Sequence, residues 1–92
     1  MEDKITEEKI KKYGKISEEA LSIARKSIAR GKEKEANEII TMAECYLSDS
    51  KHFESKGDLV NCFAAINYAH GWIDCGARLK VFNVSDNKLF TI

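Results

Sequence analysis

Residues 59–80 read LVNCFAAINYAHGWIDCGARLK, and their polarity decides the fold. At 100° per residue, Cys62, Ala65, Ile66, Ala69, Trp72, Ile73, Gly76 and Leu79 form one stripe, while Val60, Ala64, Tyr68, Gly71 and Cys75 form a second. An ordinary surface helix carries one such stripe. A helix with two must be covered on more than one side, as the central member of a bundle or as part of a subunit contact. Two interior glycines, Gly71 and Gly76, together cost about 2 kcal/mol in helix propensity, so a backbone or a bulky side chain is expected to approach closely there.

Outward from this segment, Gly57 suits the left-handed position that ends a helix and Asp58 suits the N-cap of the next, which predicts a tight antiparallel turn. Before the turn, Ala36, Ile39, Ile40, Ala43, Tyr46, Leu47, Ser50 and Phe53 mark the inner face of a helix over 33–56, with Cys45 and His52 on its outer face. A first helix is predicted over 6–30. Thr6 caps it, Glu7 and Glu8 complement its positive end, and Ile10, Tyr13, Ile16 or Ser17, Ala20, Leu21, Ala24 and Ile28 give it one apolar stripe. Arg25, Lys26 and Arg30 followed by Gly31 form its C-terminal signal, and Gly14 is where a kink would fall. The chain contains no proline, in keeping with three uninterrupted helices. Residues 81–92 break the pattern: Phe82-Asn83-Val84, the turn-like Ser85-Asp86-Asn87, then the β-prone Leu89-Phe90-Thr91-Ile92. A tail this apolar is expected to dock. The fold class is therefore all-α, an up-and-down three-helix bundle in one domain, 1–92, with a short extended C-terminal tail.

Ninety-two residues with 43% hydrophobic content suit a single domain. Fifteen basic and fifteen acidic residues cancel, and both signs interleave through the N-terminal helix, which argues against electrostatic binding to nucleic acid or an anionic membrane. No apolar run approaches the roughly 20 residues of a membrane span, and the charged N-terminus has no secretory signal, so a cytoplasmic protein is expected. Cys45, Cys62 and Cys75 are odd in number and form no CxxC pair. They are read as buried free thiols in a reducing compartment, with no metal or disulfide.

Asn67, His70, Asp74 and Arg78 recur at spacings of three and four and fall within roughly 80° of one another, the one polar stripe on the last helix. Such a row can bind a phosphate or carboxylate, with Asp74 orienting His70 or pairing with Arg78. The simpler reading is a wetted face whose i,i+4 pairs are ordinary, in which case alanine at His70 or Asp74 changes stability by about 0.5 kcal/mol or less. No nucleophile or oxyanion arrangement accompanies the stripe, so no catalytic residue is assigned. A metal site joining His70 and Asp74 to Asp49 or His52 could close only between subunits, because His52 faces away from the shared core; no metal or cofactor is expected.

The string Lys51-His52-Phe53, Lys56-Gly57-Asp58, Val60-Asn61, Phe63 through Asp74, Gly76, Arg78-Leu79 and Phe82 resembles the archaeal domain-of-unknown-function family 357, as does the closing Leu89-Phe90-Thr91-Ile92. The resemblance implies a small helical bundle in an archaeal cytoplasm and carries over no catalytic residues. Two positions depart from the family's pattern: Lys80 stands where a helix-ending glycine is expected, and Cys75 where a small alanine is usual.

The resulting expectation is a non-catalytic protein-interaction or scaffold module, with a protein partner or a second copy. A homodimer is expected, with Tyr68, Gly71, Trp72 and Cys75 in the contact, because the unusual feature is excess apolar helix surface. Docking of the C-terminal tail competes as the cover for that surface. The alternative is an accessory module that recognises a small anionic ligand or nucleotide through the Asn67/His70/Asp74/Arg78 stripe.

Overall fold

The structure is a computed structural model and describes residues 2–91. Three helices, α1 (Glu7–Arg25), α2 (Glu33–Ser55) and α3 (Leu59–Arg78), form an elongated bundle of 41 × 25 × 16 Å. α3 is packed most extensively on α2, and α1 lies mainly against α3. The predicted all-α bundle is what the chain forms.

The core follows the sequence stripes except at Tyr13, Trp72 and Leu79, which are exposed. Leu21 and Ala24 of α1, Ile39, Ala43 and Leu47 of α2, and Ala69, Ile73 and Ala77 of α3 meet in the main cluster. A smaller cluster of Ile10, Cys62 and Ile66 closes the end near the α2–α3 turn. Ala20, Ala24, Ala36, Ala43 and Ala69 are all fully buried, and such small side chains at the crossings let helix axes come together. Gly14 lies inside α1 without interrupting it.

Side-chain caps mark where α1 and α3 begin. Thr6 Oγ1 accepts from the Lys9 amide at 3.1 Å, and Asp58 Oδ1 accepts from the Asn61 amide at 3.1 Å. Asn61 also donates its side-chain amide to Asp58 Oδ2 at 2.7 Å. These bonds to Asn61, side chain first and then backbone, hold the Asp58 carboxyl below its usual range.

The ends depart from expectation in two places. α1 stops at Arg25 rather than Arg30, because the backbone of Ser27–Ala29 is taken by the tail: the Ala29 amide donates to Val81 O at 2.8 Å and the Asn83 amide to Ser27 O at 2.6 Å. Ile28 and Phe82 thus form an isolated antiparallel bridge. A polypeptide that satisfies its amides with a distant segment has no need to continue as helix. Gly31 still adopts a positive φ of 82°, but it leads into α2 and does not cap α1.

α3 ends by the motif that also ends α2. The Val81 amide donates to Gly76 O at 2.8 Å and the Lys80 amide to Ala77 O at 3.2 Å; around Gly57 the corresponding bonds run from Asp58 to Phe53 O and from Gly57 to Glu54 O. This pair of bonds requires a left-handed residue between helix and exit. Gly57 meets the need with φ 74°, and Lys80 meets it with φ 63°, the one non-glycine residue with positive φ among those described. The helix end that glycine usually makes is therefore made here by a lysine.

The exit places Phe82, 1% exposed, across Gly76. A Cβ at Gly76 would overlap the Phe82 ring and stand 3.1 Å from Ile39 Cδ1. Close approach at this glycine is thus intramolecular. Gly71 differs: nothing lies within 4 Å of the position its Cβ would take.

Candidate functional site: the tail clasp and the open face of α3

Two features share α3. The first joins His70 and Asp74 to the tail. His70 Nε2 lies 2.8 Å from Leu89 O and Nδ1 lies 3.0 Å from Ser17 Oγ. A carbonyl oxygen only accepts, so Nε2 carries the proton and donates to Leu89; in the neutral ring Nδ1 then accepts from the Ser17 hydroxyl. Asp74 Oδ1 accepts from the Thr91 amide at 2.9 Å, and Oδ2 accepts from the Thr91 hydroxyl at 3.2 Å. Between these bonds Phe90 is 2% exposed, part of the main core. His70 Nε2 and Asp74 Oδ1 are 3.6 Å apart, beyond hydrogen-bond length, so each ring and carboxylate serves the tail first.

This corrects the reading of the polar stripe as a wetted face of ordinary i,i+4 pairs. His70 and Asp74 are half-buried and hold Leu89–Thr91, while Asn67 and Arg78 remain exposed. Those two are separated by about 16 Å along the helix axis, so the four residues do not form one site. The signal that could have paired stripe with tail was the coincidence of the chain's one polar helix row with a tail whose apolar residues alternate with backbone that needs partners.

The second feature is the stripe Val60, Ala64, Tyr68, Gly71 and Cys75, which is exposed throughout. Val60 is 67% exposed, Tyr68 64% and Trp72 37%. Tyr68 stacks on Tyr46 of α2, with ring centroids 5.3 Å apart. Alongside runs an open groove of about 570 Å³ lined by Ala64, Asn67, Tyr68, Gly71, Trp72 and Cys75. The four residues expected at an interface, Tyr68, Gly71, Trp72 and Cys75, are therefore brought together on one surface. Every exposed position of α3 from Val60 to Cys75 is uncharged. The docked tail runs along the His70/Asp74 side and leaves this face open.

Gly71 links the two features. It lines the groove, a hollow of about 380 Å³ with Asn67, His70, Asp74 and Lys88, and a hollow of about 330 Å³ with Asp74, Cys75, Arg78 and Thr91. The cysteines differ from expectation, since Cys45 and Cys75 are exposed and only Cys62 is buried. Burial, then the nearby carboxylates of Glu54 and Asp58, push the Cys62 thiol up. Among the described residues no three His, Cys, Asp or Glu side chains are grouped so as to hold a metal ion. No described helix is long and apolar enough to cross a membrane.

Residues 12–82 match the family described as Protein of unknown function (DUF357). The chain belongs to that family. No curated protein and no solved structure matches it. The DUF357 match takes in the whole open face together with His70 and Asp74, and it ends at Phe82, before the Leu89–Thr91 segment that the clasp holds.

Proposed function

We propose that this DUF357 protein is a non-catalytic interaction module that self-associates through the open face of α3. The observation that carries the reading is the contrast between the two glycines. Gly76 makes room for Phe82 of its own chain, whereas Gly71 sits within the same helix at a cost of about 1 kcal/mol with open space above it. The groove on the Tyr68 side of Gly71 is lined by uncharged and mostly apolar residues, a surface that favours burial. Twofold pairing of one patch with itself is the commonest way to cover such a surface. The free thiols suit a reducing cytoplasm.

Sedimentation equilibrium at micromolar concentration tests this directly. A dimer mass is expected for the native chain and a monomer mass for Tyr68→Glu, which places a charge in the middle of the face. A native chain that stays monomeric across the concentration range would overturn the reading.

Small-ligand recognition has narrower support. The hollow beside Asn67, His70, Asp74 and Lys88 offers both signs of charge, but His70 and Asp74 already spend their hydrogen bonds on the tail. A ligand there must therefore compete with Leu89–Thr91, and added inorganic phosphate is expected to leave the amide spectrum of the tail unchanged.

A further inference from the structure

The clasp grips its occupant as a peptide site would. His70 takes the carbonyl of Leu89, Asp74 takes the amide and hydroxyl of Thr91, and the intervening Phe90 fills an apolar pocket in the core. The polar contacts thus fall on backbone groups to either side of one anchor side chain, with the Thr91 hydroxyl as the further selective element. None of them requires the segment to belong to the same chain as the clasp.

Beyond Val84, which packs against the core, the connection to that segment is irregular and exposed. Asn83–Lys88 contain no helix or strand, and Ser85, Asp86, Asn87 and Lys88 are exposed. Their described hydrogen bonds to side chains are local, with Asp86 Oδ1 accepting from the Lys88 amide at 2.7 Å. The bridge at Ile28 and the Asn83 amide's bond to Ser27 O fix the chain through Asn83, and from there it can span roughly 20–22 Å to Leu89 if extended. Two helices in contact have axes only about 8–10 Å apart. A second copy seated on the open face would bring its own clasp within that reach, because Gly71 and Cys75 line both the groove and the hollow that contains Asp74 and Thr91.

We infer that the clasp is a docking site for the Leu89–Thr91 segment of a second copy of this chain, so that the dimer exchanges C-terminal tails across the α3 face. The inference rests on the self-association proposed above and adds the residues by which each subunit completes its partner. In the exchanged dimer Phe90 of one copy fills the core of the other, and His70 and Asp74 are satisfied in trans by the bonds that the monomer makes in cis.

Subunit complementation distinguishes the two ideas. Asp74→Ala breaks the clasp and keeps the tail, and Phe90→Ala keeps the clasp and breaks the tail. When the two variants are unfolded and refolded together, native mass spectrometry is expected to show heterodimer above the statistical half share, and the mixture is expected to melt above either variant alone. A statistical mixture that melts as the sum of its parts overturns tail exchange, and if the native chain still sediments as a dimer the self-association stands without it. A native chain that is monomeric throughout overturns both. Should Phe90→Ala not fold, a cross-link gives the same answer. Differently tagged copies carrying Cys45→Ser and Cys75→Ser, one with Asp74→Cys and the other with Thr91→Cys, are refolded together and oxidised. A covalent heterodimer is expected, and its absence overturns the exchange.

Discussion

Gly14, Gly71 and Gly76 carry the same residue for different reasons, and their alanine variants separate those reasons. At Gly14 a Cβ would stand 3.8 Å from Ile66 Cδ1, an ordinary contact, and at Gly71 it would meet open space. Both substitutions are expected to stabilise the dilute monomer by up to about 1 kcal/mol in urea unfolding. In the proposed dimer, Gly71→Ala is expected in addition to weaken association, because it thickens the helix at the proposed contact. Gly76→Ala is expected to destabilise by about 1–3 kcal/mol, since Phe82 must move. Lys80 offers the reverse test: glycine relieves its left-handed backbone, and Lys80→Gly is expected to raise stability by about 1 kcal/mol. Thiol labelling reads burial residue by residue. Cys45 and Cys75 are expected to react in the native protein and Cys62 only on unfolding, with Cys75 becoming protected as protein concentration rises.

At the scale of the element, the helix ends are decided by neighbours as much as by local signals. The first helix has basic residues and a glycine placed to continue it to Arg30, yet Ser27–Ala29 give their backbone to Val81 and Asn83. Local capping was legible at Thr6 and Asp58 because an N-cap needs only a side-chain oxygen and an amide three residues on. The Asp58 cap has a pH signature. Its folded pKa is depressed by its bonds to Asn61, so its contribution is present above the unfolded carboxylate pKa and is lost as pH falls through the folded one. The stability difference between the native chain and Asp58→Ala is therefore expected to shrink on acidification below the ordinary carboxylate range, as measured by urea unfolding at a series of pH values. A difference that is constant with pH would show that the carboxylate's charge contributes nothing there.

For the whole molecule, the tail acts as a fourth packing element. It supplies Val81, Phe82 and Phe90 to the core, exchanges backbone hydrogen bonds with Ser27 and Ala29, and is held on α3 by Asp74 and by His70, whose other ring nitrogen bonds Ser17 of α1. His70→Ala leaves the Ser17 hydroxyl, 1% exposed, without its partner and frees the Leu89 carbonyl. A loss of about 2 kcal/mol is expected, against the near-neutral result that an exposed stripe would give. Asp74→Ala is expected to loosen the tail selectively, so hydrogen exchange should rise at Thr91 while the core amides of α2 and α3 keep their protection. Equal loss of protection in the tail and the helices would instead mean that the clasp is part of one global unfolding unit.

The sequence by itself determined the three helices, the turn at Gly57-Asp58 and most of each inner face, Tyr13, Trp72 and Leu79 excepted, because hydrophobic period and cap chemistry are local properties written within a few residues. It also marked out the second stripe of α3, which the structure leaves exposed. Which glycine faces its own chain, where α1 stops, and what His70 and Asp74 hold were decided only by the tertiary structure. Each depends on where the tail runs, and no periodicity in α3 specifies a partner for a polar side chain nearly twenty residues away. The tail's path is fixed by Phe82 over Gly76 and Phe90 in the core, contacts that exist only once the bundle has formed.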